Sequence, residues 1–183
     1  MRSAIILVSL IAAGPALAQA NPTPAAQTPE VAAALTALEK ICLPLASGSD
    51  LKTVAPGAGL RQEDGDWVLP ISGPERIDVI PPDSANPHIC IATIHFRGNQ
   101  ADAMRSAIGA WAAHQSPPLT PDQVAAAEKG PQRLRTISSW QASTPKAADA
   151  VLFTKEKTLD GKPVDGALNE AQVMVSVTPT KPA

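Results

Sequence analysis

Cys42 and Cys90 are the only cysteines among 183 residues, and each sits in an apolar pattern of a different period. Thr28-Pro29-Glu30 opens the first: a threonine suited to capping, proline at the first helical position, and a carboxylate at the positive end of the helix dipole. Val31, Leu35, Leu38, Cys42 and Leu45 follow at spacings of four, three, four and three, one stripe of an amphipathic helix that Pro44 and Gly48 are expected to end. The second pattern alternates. In Ile89 to Arg97, Cys90, Ala92, Ile94 and Phe96 share one face and Ile89, Ile91, Thr93 and His95 the other, so the segment reads as a central strand. A fold that satisfies both patterns packs the first helix against that strand, with the two cysteines on facing surfaces.

Whether the thiols bond depends on the compartment. Arg2, the apolar run from Ala4 to Ala13, the helix-breaking Pro15 and Ala16-Leu17-Ala18 have the three-part layout of a cleaved export signal. The run falls well short of the roughly 20 apolar residues a membrane span needs. Residues 1–18 (alternatively 1–20) are therefore read as a signal peptide, 19–27 as a Pro/Ala-rich disordered leader, 28–177 as a single domain and 178–183 as a frayed tail. No cysteine follows either cleavage site, so no lipid anchor is expected, and the mature chain is read as a soluble periplasmic protein. In that oxidising space the expected state is a Cys42–Cys90 disulfide, worth roughly 4 kcal/mol by loop closure. Two separately buried thiols are the alternative.

Arg2 leaves with the signal, which takes Lys+Arg from 15 to 14 against 17 Asp+Glu and the charge from −2 to about −3. An acidic surface of this kind argues against nucleic acid and anionic lipid as partners, since both require a basic patch.

The remaining elements follow from local signals. Leu60 to Glu63 and Asp66 to Ile71 flank Asp64-Gly65, a type I′ hairpin turn, and Arg76 to Ile80 alternates up to Pro81-Pro82. Asn99 and Asp102 resemble a capping box ahead of a second helix with Met104, Ile108 and Trp111 as its stripe; that stripe is read as core in preference to a ligand cleft. Thr120-Pro121-Asp122-Gln123, stapled by Leu119 and Val124, predicts a short third helix ending at Gly130-Pro131. Leu134 to Gln141, Ala150 to Lys157 and Ala171 to Val177 read as a strand meander. The fold class predicted is α+β: a single domain with a largely antiparallel sheet of five to seven strands, packed by two main helices and one short helix.

The chemistry is sparse. His88 shares a strand face with Cys90, but two groups are too few for a metal site, and a disulfide removes the thiolate. Ser47-Gly48-Ser49-Asp50 lacks the spacing of a nucleophile elbow, and Pro56-Gly57-Ala58-Gly59 reads as turn material with no phosphate-binding context. Asp64 and Asp66 flank a turn, and Glu156 between Lys155 and Lys157 is read as an exposed strand edge. No cofactor and no metal is called for by any motif. His88, His95 and His114 are the candidates for general base if the chain is an enzyme assembled from distant residues.

With its Ala-rich export signal, Cys42 near the end of a first helix, and Asn86-Pro87-His88-Ile89-Cys90 leading into a strand, the chain resembles small exported alphaproteobacterial proteins of unassigned function over about residues 30–115. The resemblance supplies no catalytic residues. The function expected is a binding or envelope accessory module whose partner is an envelope protein or a small ligand; a hydrolase-like periplasmic enzyme built around the histidines is the alternative.

Overall fold

A computed structural model of the chain describes residues 27–144 and 147–179. The signal, nearly all of the leader and residues 180–183 lie outside the described residues.

Thr28 caps α1 (Pro29–Thr36), its hydroxyl accepting the Val31 amide at 3.4 Å. The helix continues through a π-helical segment, Ala37–Cys42, into α2 (Leu43–Ala46), so Pro44 lies inside it and not at its end. The wider π turn, in which the Leu43 amide reaches Leu38 O, relieves the clash a proline otherwise makes with the carbonyl four residues back. Gly48, at φ +96°, then turns the chain. Asp50 accepts the Lys52 amide at 2.6 Å and caps α3 (Leu51–Ala58), a helix where the sequence signals loop and turn. The Pro56-Gly57 pair that suggested a turn is its last turn, closed by Gly59 in the left-handed region.

Among the described residues, eight antiparallel strands form one sheet in the order β1-β2-β3-β4-β8-β7-β6-β5. They are β1 (Arg61–Glu63), β2 (Asp66–Ser72), β3 (Glu75–Ile80), β4 (Ile89–Phe96), β5 (Thr120–Lys129), β6 (Arg133–Ser143), β7 (Ala147–Thr158) and β8 (Asn169–Pro179). Asp64 and Gly65, at φ 49° and 99°, make the turn between β1 and β2. α4 (Ala101–Ala113) crosses back after β4 and packs on α1; no side chain caps its start, so the Asn99–Asp102 box does not form.

The expectation of five to seven strands is thus corrected to eight, and the count differs because of residues 120–129. This segment has helical start signals but only Val124 and small alanines to bury, too little apolar surface to hold a helix against a core. β6, eleven residues long, otherwise presents an unpaired row of backbone groups, and β5 satisfies them. The fit is irregular: the register shifts twice, Ala125 takes φ +52°, and the Ser139 and Ser138 hydroxyls accept the amides of Gln123 and Ala125.

The helices cover one face of the sheet. Ile77, Cys90, Ala92, Ile94, Phe96, Val173 and Val175 meet Leu38, Ile41, Cys42, Met104 and Ile108 in one core, each at most 1% exposed. Gly109 lets α4 approach Trp140, since a Cβ there would lie 3.3 Å from the indole. Cys42 and Cys90 are joined across this interface, with sulfurs 2.01 Å and Cα atoms 5.1 Å apart.

Candidate functional site

A cleft of about 190 Å³ opens at the end of the sheet where β7 begins and β8 ends. One wall is built from the helices: Leu43 from α2, Trp111 from the last turn of α4, and the chain beyond it through Gln115, Ser116, Pro117 and Leu119. The other is sheet, where Asp149 pairs with Val177 and Val151 with Val175, all four directed toward the helices by strand alternation. The disulfide ties the two walls together. Leu43 follows Cys42 in the chain, and Val175 is the register partner of Cys90.

The lining mixes apolar side chains with Gln115, Ser116, Asp149 and Ser176, and one of these polar groups stands out. Asp149 Oδ1 is buried with no hydrogen-bond partner among the described residues, and neither carboxylate oxygen forms an ion pair. Gln115, also in the lining, donates one amide hydrogen to Trp111 O at 3.1 Å. Among the described residues, no lysine, arginine or histidine lines the cleft. Trp111, which the sequence reading assigned to the core with Met104 and Ile108, is half-buried and forms part of the wall, whereas Met104 and Ile108 are fully covered.

The opposite face of the sheet carries a row of charge. Arg76, His95, Glu170, Glu156, Arg135 and Glu128 are successive register partners from β3 to β5. Glu156 is only 7% exposed and is gripped by Arg133 and Arg135, the latter at 2.9 Å, which corrects its reading as an exposed edge residue. It sits on an interior strand, where lysines on either side point to the other face. The Glu156 hydrogen bond, aided by Glu170 at 3.5 Å, raises the Arg133 pKa above its ordinary value. His95, 8% exposed, has Nε2 3.0 Å from Asp78 Oδ2 and Nδ1 3.5 Å from Asp165 Oδ2, and Asp78 also binds Arg76 Nε at 3.0 Å. The Nδ1 contact is too poorly aligned to count as a hydrogen bond.

The three histidines do not converge. His88 and His95 stand seven residues apart along an extended chain, about 23 Å. His88 Nδ1 faces Ala46 O at 3.4 Å, and His114 is exposed with Nδ1 2.7 Å from Ala110 O at the end of α4. Among the described residues, no hydroxyl or thiol hydrogen-bonds any of their rings. Among the described residues, no group of three or more His, Cys, Asp or Glu side chains is arranged to hold a metal ion, and no helix is long and apolar enough to cross a membrane. Ser47-Gly48-Ser49-Asp50 links α2 to α3, with Asp50 serving as a helix cap.

The feature that sequence reasoning missed is Asp149. It shares strand parity with Val151 and Phe153, so a carboxylate on the core-facing side was legible from the alternation, but the strand was read as starting one residue later.

No protein-family model, curated protein or solved structure matches the chain.

Proposed function

We propose that this chain is a periplasmic binding module that takes a small ligand with both apolar and polar parts in the cleft between α2, α4 and the β7–β8 end of the sheet. The observation that carries the reading is the cleft itself: a small concavity with both apolar and polar lining, built where two layers meet and tied across by a disulfide. Export is supported by the N-terminal signal pattern and by a disulfide suited to an oxidising compartment. A catalytic reading has less to stand on, because His95 lies on the opposite face of the sheet from the cleft and no nucleophile accompanies it.

Equilibrium dialysis of the mature, oxidised protein against a small-molecule extract of its own cells, followed by mass spectrometry, tests the reading. Wild type is expected to enrich a small set of molecules, and Val177→Trp, which fills the cleft, is expected to lose them. Equal recovery from both proteins, or enrichment of nothing, refutes the reading. Fractionation of the expressing cells tests location: the oxidised protein is expected in the periplasmic fraction.

A further inference from the structure

A carboxylate oxygen shielded from solvent and left without a hydrogen-bond partner carries a cost that a donor brought by a ligand would offset. Asp149 is in this position at one oxygen: the residue is half-buried, but among the described residues Oδ1 is shielded from solvent and unpartnered, and no basic side chain lines the cleft. The remainder of the wall is complementary to an alkyl group, with Leu43, Leu119, Val151 and Val175 around it. Trp111 adds an aromatic surface of the kind that attracts cations. At about 30 Å³ for each water-sized group, 190 Å³ holds about six non-hydrogen atoms.

Resting on the reading of the cleft as a ligand site, we propose that its occupant is a primary alkylammonium ion of about five carbons, with the ammonium on Asp149 and the chain against Trp111 and the valines. The ligand supplies the two things the site lacks, a positive charge with three donors for the carboxylate and apolar volume for the walls. A free amine and a lysine side chain presented by a peptide share this chemistry. The cleft's small volume and its position at the end of the sheet favour the free amine.

Calorimetric titration of the oxidised mature protein with n-pentylammonium, n-pentanol, n-pentanoate and Nα-acetyl-lysine amide tests the proposal. Pentylammonium is expected to bind at least about tenfold more tightly than pentanol, with no binding of pentanoate, and acetyl-lysine amide is expected to bind more weakly than the free amine. Asp149→Asn, nearly isosteric, is expected to lower pentylammonium affinity by about thirtyfold and to leave pentanol unchanged. Lys146→Ala is expected to leave affinity unchanged; a gain would mean the chain's own lysine fills the site, and would overturn the proposal. Equal binding of pentanol and pentylammonium overturns the ammonium assignment while the ligand-binding reading survives. Preference for acetyl-lysine amide overturns the free-amine assignment. Failure of all four probes overturns the proposal, and the dialysis experiment then reads separately whether the cleft binds anything.

Discussion

β4 and β5 belong to one sheet and are held in opposite ways. β4 has strands on both sides, helices over one face and a covalent bond to the π-helical segment; its core-facing side chains, Cys90 to Phe96, are at most 1% exposed. β5 pairs with β6 alone, breaks register twice and leaves Val124 69% exposed. Burial and a crosslink fix the first, backbone hydrogen bonding the second. Irregularity therefore gathers where side-chain packing has no say in the register, because in a buried strand a one-residue slip would turn every apolar group outward.

The largest test of this contrast is Cys42→Ala with Cys90→Ala. Opening the loop is expected to cost about 4 kcal/mol in denaturant unfolding, an upper figure on chain entropy. Amide exchange in β4 should accelerate strongly while β5, already fast, changes little; equal acceleration in both would break the contrast. Next in size, Ile94→Ala is expected to cost about 3 kcal/mol through a cavity, and Val124→Ala no more than about 0.5 kcal/mol. A comparable loss at Val124 would mean that β5 carries packing not accounted for by its exposure.

Glu156 tests the region between. Its partners Arg133 and Arg135 are 42% and 50% exposed, so solvent screens the pairs, and Glu156→Gln is expected to cost about 1–2 kcal/mol, less at high salt. The smallest effect is at the β7–β8 turn. Lys162, at 2.7 Å, and the Thr158 hydroxyl hold the Asp160 carboxyl below its usual pKa. A carboxyl depressed in the folded state favours folding above its ordinary value and loses that contribution as the pH falls through the lower one. In an NMR titration Lys162→Ala is therefore expected to move the Asp160 midpoint upward.

The same contrast governs what was legible. The Thr28 cap, the stripe through Cys42 and the alternation of Ile89 to Arg97 lie in the packed half, where side-chain period and tertiary contact agree. Residues 120–129 carry a helix start and end as a strand because the deciding force, the open edge of β6, lies elsewhere in the chain. A synthetic peptide of residues 119–130 is expected to show more helix by circular dichroism than the same segment holds in the protein. Pro56-Gly57 hid α3 for a related reason, since neither residue is a helix former and only the Asp50 cap announced it. The cleft was least legible: its walls come from residues 43, 111–119, 149–151 and 175–177, and no local pattern joins them.

The bond between Cys42 and Cys90 also makes a closed ring of the intervening chain, which includes α3 and the first three strands. The exposed stretch Asp83 to Pro87 is part of that ring. A protease that cuts there adds one water and releases nothing, and the two halves still migrate as a single species. They separate only on denaturation with a reductant, so a nicked molecule can keep its cleft walls in register, and its damage stays hidden in an oxidising space.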